Sequence, residues 1–152
     1  MKEVVKCLKE KSLTIGSCES LTAGLFTSTI AEVSGASAVL KGGIVTYWTE
    51  CKTDIVHVDP SIVEKYGVIS GECAKEMAEK ARVLLKVDIC VSFTGNAGPD
   101  AMEGKPAGLV YCAIASADKT KVYEYHFELE RNALRKAVVE KMGKQVICFL
   151  QE

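Results

Sequence analysis

The chain has 152 residues, of which 48% are hydrophobic and 26% charged, with a formal net charge of −1. Domains most often run to roughly 100–150 residues, so one domain with one core is expected over residues 1–152, and this composition excludes a disordered chain. The near-zero charge excludes a global field that would draw nucleic acid or an anionic membrane and leaves only a local basic patch as an anion site.

The spacing predicts a helix over 2–11. Its opening, Met1-Lys2-Glu3, places an acidic residue at once before a short broken apolar stretch, so no secretory signal is expected. No apolar run approaches the roughly 18 residues of a membrane span, and a cytoplasmic protein is expected by elimination. Residues 13–16 read as a strand, followed by Ser17-Cys18-Glu19-Ser20-Leu21-Thr22-Ala23-Gly24. Leu25, Phe26, Thr29, Ile30 and Val33 then fall on one helical face, which Ser34-Gly35-Ala36-Ser37 closes. Residues 43–48 are a β-branched and aromatic strand, and 50–55 suit a short helix. Asp59-Pro60 is a helix start, with aspartate as cap and proline at the first position. Ser70 caps a longer helix whose apolar face carries Ala74, Met77, Ala78, Ala81 and Leu85. Residues 87–93 form a nearly continuous apolar strand, as a sheet buried on both faces requires. A loop from Thr94 to Asp100, two strands over 108–115 and 121–129 joined as a hairpin, and a final helix over 132–149 complete the order. Strands alternating with helices give an α/β fold, a three-layer α/β/α sandwich with a mixed, mostly parallel central sheet. Such sheets bind ligands at the carboxyl ends of their strands, where the segments at Ser20, Tyr47 and Thr94 fall.

Seven cysteines are present, an odd number with no CxxC pair, and most lie in apolar segments. They read as reduced core residues. The two histidines, His57 and His126, stand apart from them, so no metal site is expected.

Four segments carry candidate chemistry. Ser20 links a strand to a helix start, where unpaired N–H groups favour negative charge. The segment can cradle a phosphate, present Ser20 as a nucleophile with an oxyanion site, or simply cap a helix. A serine nucleophile needs a base. With no histidine near any motif, a buried lysine of lowered pKa is the alternative, which draws attention to Tyr47 and Lys52, although a strand-end tyrosine and a surface lysine would look the same. Thr94-Gly95-Asn96-Ala97-Gly98-Pro99 allows close backbone approach to a ligand, or a tight crossover turn. Arg131 and Arg135, opening the last helix against its dipole, suit a phosphate or exposed salt bridges.

Taken together, these segments resemble the CinA C-terminal domain family, the nicotinamide mononucleotide deamidases. The resemblance covers about 13–150. The family's ESCTGG is matched by Glu19 to Gly24, GG-x-V-x-Y-x-N-x-x-K by Gly42 to Lys52, and G-x-V-S by Gly67 to Ser70. TGIAGP is matched by Thr94 to Pro99 and KP-x-G-x-V by Lys105 to Val110. The chain departs from these patterns at Leu21, Ala23, Thr49 and Asn96, adds the bulk of Trp48, and has Leu129-Glu130-Arg131 for Gly-Asp-Arg. The resemblance implies hydrolysis of the carboxamide of nicotinamide mononucleotide (NMN) to nicotinic acid mononucleotide and ammonia. It implies Ser20 as nucleophile with Lys52 and Tyr47 assisting. Glu19, Thr22, Gly24, Gly43, Thr94, Gly95, Asn96, Ala97 and Arg131 become the substrate contacts. It also implies no metal or organic cofactor and a homodimer. Many members carry an N-terminal pyrophosphatase-like domain that this sequence does not contain. A member acting on another amide, or one serving as a nucleotide-binding or protein-interaction module, would share the same motifs.

Overall fold

The computed structural model describes all 152 residues, Met1–Glu152. In chain order the elements are α1 (Lys2–Glu10), β1 (Ile15–Glu19), α2 (Leu25–Ala31), β2 (Leu40–Val45), α3 (Pro60–Tyr66), α4 (Gly71–Leu85), β3 (Ile89–Gly95), β4 (Leu109–Ala115), β5 (Thr120–His126) and α5 (Arg131–Gln151). A wide helical turn, Cys51–Ile55, lies between β2 and α3.

The sheet runs β2-β1-β3-β4-β5. β1 pairs in parallel with both β2 and β3, β4 runs antiparallel to β3, and β5 runs antiparallel to β4. Every strand but β4 therefore points the same way, the mixed and mostly parallel sheet that the alternation of elements implies. One face carries the larger core. There α1, α2 and α5 set Val4, Leu8, Phe26, Leu134, Val138 and Met142 against Ile15, Val91, Phe93 and Ile114 of the strands. On the other face α4 brings Cys73, Met77 and Ala81 against Cys18 and Cys90. Two buried faces explain the unbroken apolar run of β3, whose residues are buried up to Gly95. At the edges the pattern alternates, as half-covered strands must, in both β2 and β5.

The caps lie where the side chains dictate. Asp59 accepts a hydrogen bond from the Ser61 N–H with Pro60 at the first helical position, and Ser70 accepts one from the Cys73 N–H. Four strands differ from the sequence expectation: β3 runs two residues later than 87–93, β5 ends at His126 rather than at 129, and β1 and β2 are displaced as well. β1 runs on through Ser17 and Glu19, because both polar side chains are buried and satisfied by partners outside the strand. β2 lies about three residues earlier than its aromatic stretch suggests. Leu40 and Gly42 pair with Ile15 and Gly16, and the chain leaves the ladder after Val45, where the Thr46 carbonyl turns to accept from Lys52.

Gly43 shows why the edge strand lies close to its neighbours. A Cβ there would collide with the Thr27 hydroxyl and stand 2.6 Å from Ser17 Oγ. Gly43→Ala is expected to cost about 1–3 kcal/mol through overpacking. Urea unfolding of wild type and variant checks this, and equal midpoints would show that β2 can shift freely.

Candidate active site

The carboxyl ends of β1, β2 and β3 lie side by side, since Glu19 is in register with both Val45 and Phe93. The polar segments that follow these strands meet there, around a cleft of about 770 Å³ counted out to its open mouth.

The turn after β1 is built around Glu19. Its buried carboxylate accepts five hydrogen bonds: from Ser17 Oγ at 2.8 Å, from the Gly24, Phe26 and Thr27 N–H groups at 3.0, 3.1 and 2.9 Å, and from Thr27 Oγ1 at 2.9 Å. The N-terminal amides of α2 are thus occupied by the protein's own carboxylate. They do not serve a ligand, as the sequence had suggested they might be free to do, and Glu19 itself does not face the cleft. Gly24, at φ 94°, belongs to this turn, and Ala23 also adopts a positive φ, 47°, where the family pattern has glycine. Neither Gly24 nor Gly43 lines the cleft; their place is in the packing around Glu19.

Ser20 sits on the cleft wall, its N–H donating to the Phe93 carbonyl at 2.9 Å. Lys52 reaches it from the wide turn after β2. The Lys52 Nζ lies 3.1 Å from Ser20 Oγ and donates to the Thr46 carbonyl at 2.6 Å. Only 1% of Lys52 is exposed, and no carboxylate forms a salt bridge with it. Burial therefore lowers its pKa from the ordinary 10.5. The neighbouring thiols could oppose this only as thiolates, but burial pushes Cys18 up to about 12 and Cys73 up to about 11, so both are neutral near pH 7. Glu103, the remaining acidic neighbour, is bound to the Val68 and Ile69 N–H groups and to Lys105.

The other expected site residues divide into three groups. Thr94, Gly95, Asn96, Ala97, Tyr47 and Arg131 line the cleft with Ser20 and Lys52. Of these, Thr94 spends its hydroxyl on the Val68 carbonyl at 2.7 Å, and Asn96 stitches its own loop rather than offering its amide to a ligand. Asn96 Nδ2 donates to the Met102 and Lys105 carbonyls, while its Oδ1 accepts from the Met102 N–H. Gly95 lets the loop approach β4, since a Cβ there would stand 2.5 Å from the Leu109 carbonyl. Tyr47 and Arg131 form the rim. Arg131 donates to the Tyr47 hydroxyl at 2.6 Å and to the Gly98 carbonyl at 2.9 Å, so the tyrosine is hydrogen-bonded to the arginine and not to Ser20 or Lys52. Thr22 is wholly buried behind the wall with its hydroxyl unpartnered. Arg135, which the sequence offered as a phosphate ligand, instead donates to the Leu21 and Thr22 carbonyls at 2.9 and 3.0 Å. The motifs at Gly67 to Ser70 and Lys105 to Val110 meet in a clamp that the sequence pattern does not reveal: Glu103 accepts from the Val68 and Ile69 N–H groups and Lys105 donates to the Tyr66 carbonyl, which fixes the far wall. No cluster of histidine, cysteine or acidic side chains could hold a metal ion, and no helix is long and apolar enough to cross a membrane.

Fold and site together define an α/β protein with a serine–lysine pair in a cleft at the carboxyl edge of a mixed sheet. The CinA C-terminal domain family matches residues 1–149, and the chain belongs to that family. A competence-damage inducible protein of Listeria monocytogenes serovar 1/2a is 46% identical over 145 residues, which are 95% of this chain and 35% of that protein. One from Bacillus subtilis strain 168 is 40% identical over 152 residues, 100% of this chain and 36% of that protein. The chain thus spans about a third of the length of these relatives. Among solved structures, the competence/damage inducible protein CihA from Agrobacterium tumefaciens superposes with a TM-score of 0.93 at 28% identity, covering 99% of this chain and 92% of that one. A CinA superfamily protein from Klebsiella pneumoniae gives 0.96 at 23% identity over 99% of this chain and 94% of that one, a likeness of fold.

The buried amine has a consequence for stability. A lysine whose folded pKa lies below its unfolded value binds fewer protons when folded, so its contribution to stability rises with pH until the unfolded value near 10.5 is passed. The raised thiols act in the opposite sense at alkaline pH. The informative quantity is therefore the difference between wild type and Lys52→Met, both of which keep those thiols. That difference is expected to move in favour of the wild type as pH rises from about 7 to about 8.5. Thermal unfolding at several pH values measures it, and a constant difference would mean that Lys52 is not desolvated.

Proposed function

We propose that this protein hydrolyses the carboxamide of nicotinamide mononucleotide, giving nicotinic acid mononucleotide and ammonia. The observation that carries the reading is the Lys52 amine 3.1 Å from Ser20 Oγ, buried and without a carboxylate partner. A protonated Lys52 would donate to the serine. Once neutral, it keeps an N–H on the Thr46 carbonyl and turns its lone pair to accept the serine proton.

The chemistry then follows in two halves. Ser20 Oγ attacks the amide carbon while Lys52 takes the hydroxyl proton, and the carbonyl electrons move onto oxygen. The tetrahedral intermediate collapses as Lys52 returns the proton to the departing nitrogen, releasing ammonia and leaving an acyl ester on Ser20. Water attacks that ester with Lys52 again as base, which frees the carboxylate product and restores the serine. The substrate's phosphate suits the rim, where Arg131 has donors beyond those given to Tyr47 and Gly98. Tyr47 belongs to this reading as the group that orients Arg131. The family membership supports the same reaction class.

Two outcomes are expected. Ser20→Ala lowers ammonia release from NMN by on the order of 10³-fold or more, while calorimetry finds NMN affinity within about threefold of wild type. Full turnover in that variant would remove Ser20 from the mechanism. Secondly, kcat/KM rises with pH as Lys52 loses its proton and levels off below the 10.5 of an ordinary lysine. A profile that stays level from about pH 6 to about pH 9 would exclude lysine as the base.

A further inference from the structure

The turn that follows Ser20 leaves polar groups unpaired in an unusual way. The Leu21 and Thr22 N–H groups donate to no backbone or side-chain acceptor, and Thr22 Oγ1 has no partner. Thr22 is 0% exposed, and Leu21, 4% exposed, lies on the cleft wall. Buried backbone donors without partners are rare, and a turn that keeps them must be held by something else.

Arg135 is positioned to hold it. Its guanidinium reaches across from α5 and donates through Nε to the Leu21 carbonyl and through Nη2 to the Thr22 carbonyl, while Nη1 is steadied by Asn132 Oδ1 at 3.2 Å. Both bonds are charge-assisted. The Ser20 carbonyl meanwhile accepts from the Ala23 N–H at 3.1 Å. A planar trans peptide opposes its N–H to its C=O. Arg135 therefore aims the Thr22 N–H directly, through the Leu21 carbonyl of the same peptide, and the Leu21 N–H at one remove: the Thr22 carbonyl it holds shares a peptide with the Ala23 N–H, which donates to the Ser20 carbonyl opposite the Leu21 N–H. Of the two residues, Leu21 lines the cleft beside Ser20, whereas Arg135 does not line it. The N–H of the residue after a nucleophile is a common oxyanion donor.

We infer that Arg135 is a positioning residue: it holds the Ser20–Thr22 turn so that the Leu21 N–H stands ready to receive the oxyanion formed when Ser20 attacks a carbonyl. This rests on the proposal that Ser20 is a nucleophile. It assigns Arg135 a role apart from phosphate binding, which falls to Arg131 on the rim. Without the guanidinium the turn is free to pair the Thr22 N–H and hydroxyl, and the Leu21 donor loses its aim.

The test uses the full chain with Arg135→Gln and Arg135→Lys. Two readouts are taken: steady-state deamidation of NMN, and the rate at which a fluorophosphonate, whose adduct needs the same oxyanion site, modifies Ser20 by intact mass. Arg135→Gln is expected to slow both labelling and kcat by at least about tenfold, with KM within about threefold of wild type and the pH midpoint of Lys52 unmoved. Should that variant not fold, Arg135→Lys carries the comparison. Its single ammonium cannot hold both carbonyls as the fork does, and the same pattern is expected at reduced size. Labelling and kcat within about twofold of wild type would overturn the assignment, as would a raised KM with unchanged kcat, which would mark Arg135 as a binding group. A wild-type protein that is neither labelled nor active overturns the nucleophile reading itself. A wild-type protein labelled at Ser20 alongside equally reactive variants overturns only the role of Arg135.

Discussion

The geometry of the cleft depends on one buried carboxylate. Glu19 ends β1 and turns its side chain into the first turn of α2, where three backbone N–H groups and two hydroxyls converge on it. A carboxylate so placed satisfies donors that a helix start otherwise leaves open and sets a negative charge at the positive end of the helix. It also fixes the length and path of the turn that carries Ser20. Because that helix end is already neutralised, the guanidinium on the cleft rim, Arg131, comes from a different segment.

Lys52 illustrates how burial without a carboxylate partner disfavours the charged form of an amine. Its ammonium form is disfavoured because the groups around it are thiols held in their protonated state and a backbone carbonyl. The several cysteines of this region are thus compatible with a base. Carboxylates in the same places would have held the amine charged. The wide turn over Cys51–Ile55 buries Lys52 while leaving its neighbours Asp54 and Ile55 in solvent.

Much of the fold was legible because it is written in local chemistry. Asp59-Pro60 and Ser70 mark helix starts by capping, the apolar run before Thr94 marks a strand covered on both faces, and the polar turn at 117–120 marks a hairpin. The convergence of the segments at Ser20, Tyr47 and Thr94 follows from strand direction. What was not legible depends on contacts distant in sequence. Glu19 in a polar turn looks like a ligand contact, and only its packing against residues 24–27 shows that it is structural. Asn96 stands where relatives have isoleucine and looks like a change to the pocket, but its amide is consumed within the 96–105 loop. Arg135 looks like a second anion ligand because no sequence pattern shows that the start of α5 crosses the turn after β1. β2 was placed late because Tyr47 and Trp48 favour a strand, yet their residues follow the point where the ladder ends.

The two walls of the cleft differ in how firmly they are tied. The loop from Asn96 to Lys105 is bound to itself and, through Glu103 and Lys105, to the backbone of residues 66–69. The opposite side, around Tyr47 to Thr49, is exposed, and the Tyr47 side chain is hydrogen-bonded only to Arg131. The cleft is thus a fixed jaw facing a loose one. A single side-chain hydrogen bond, between the Arg131 guanidinium and the Tyr47 hydroxyl, ties the loose jaw across the rim, while the serine and lysine beneath it are held by separate contacts.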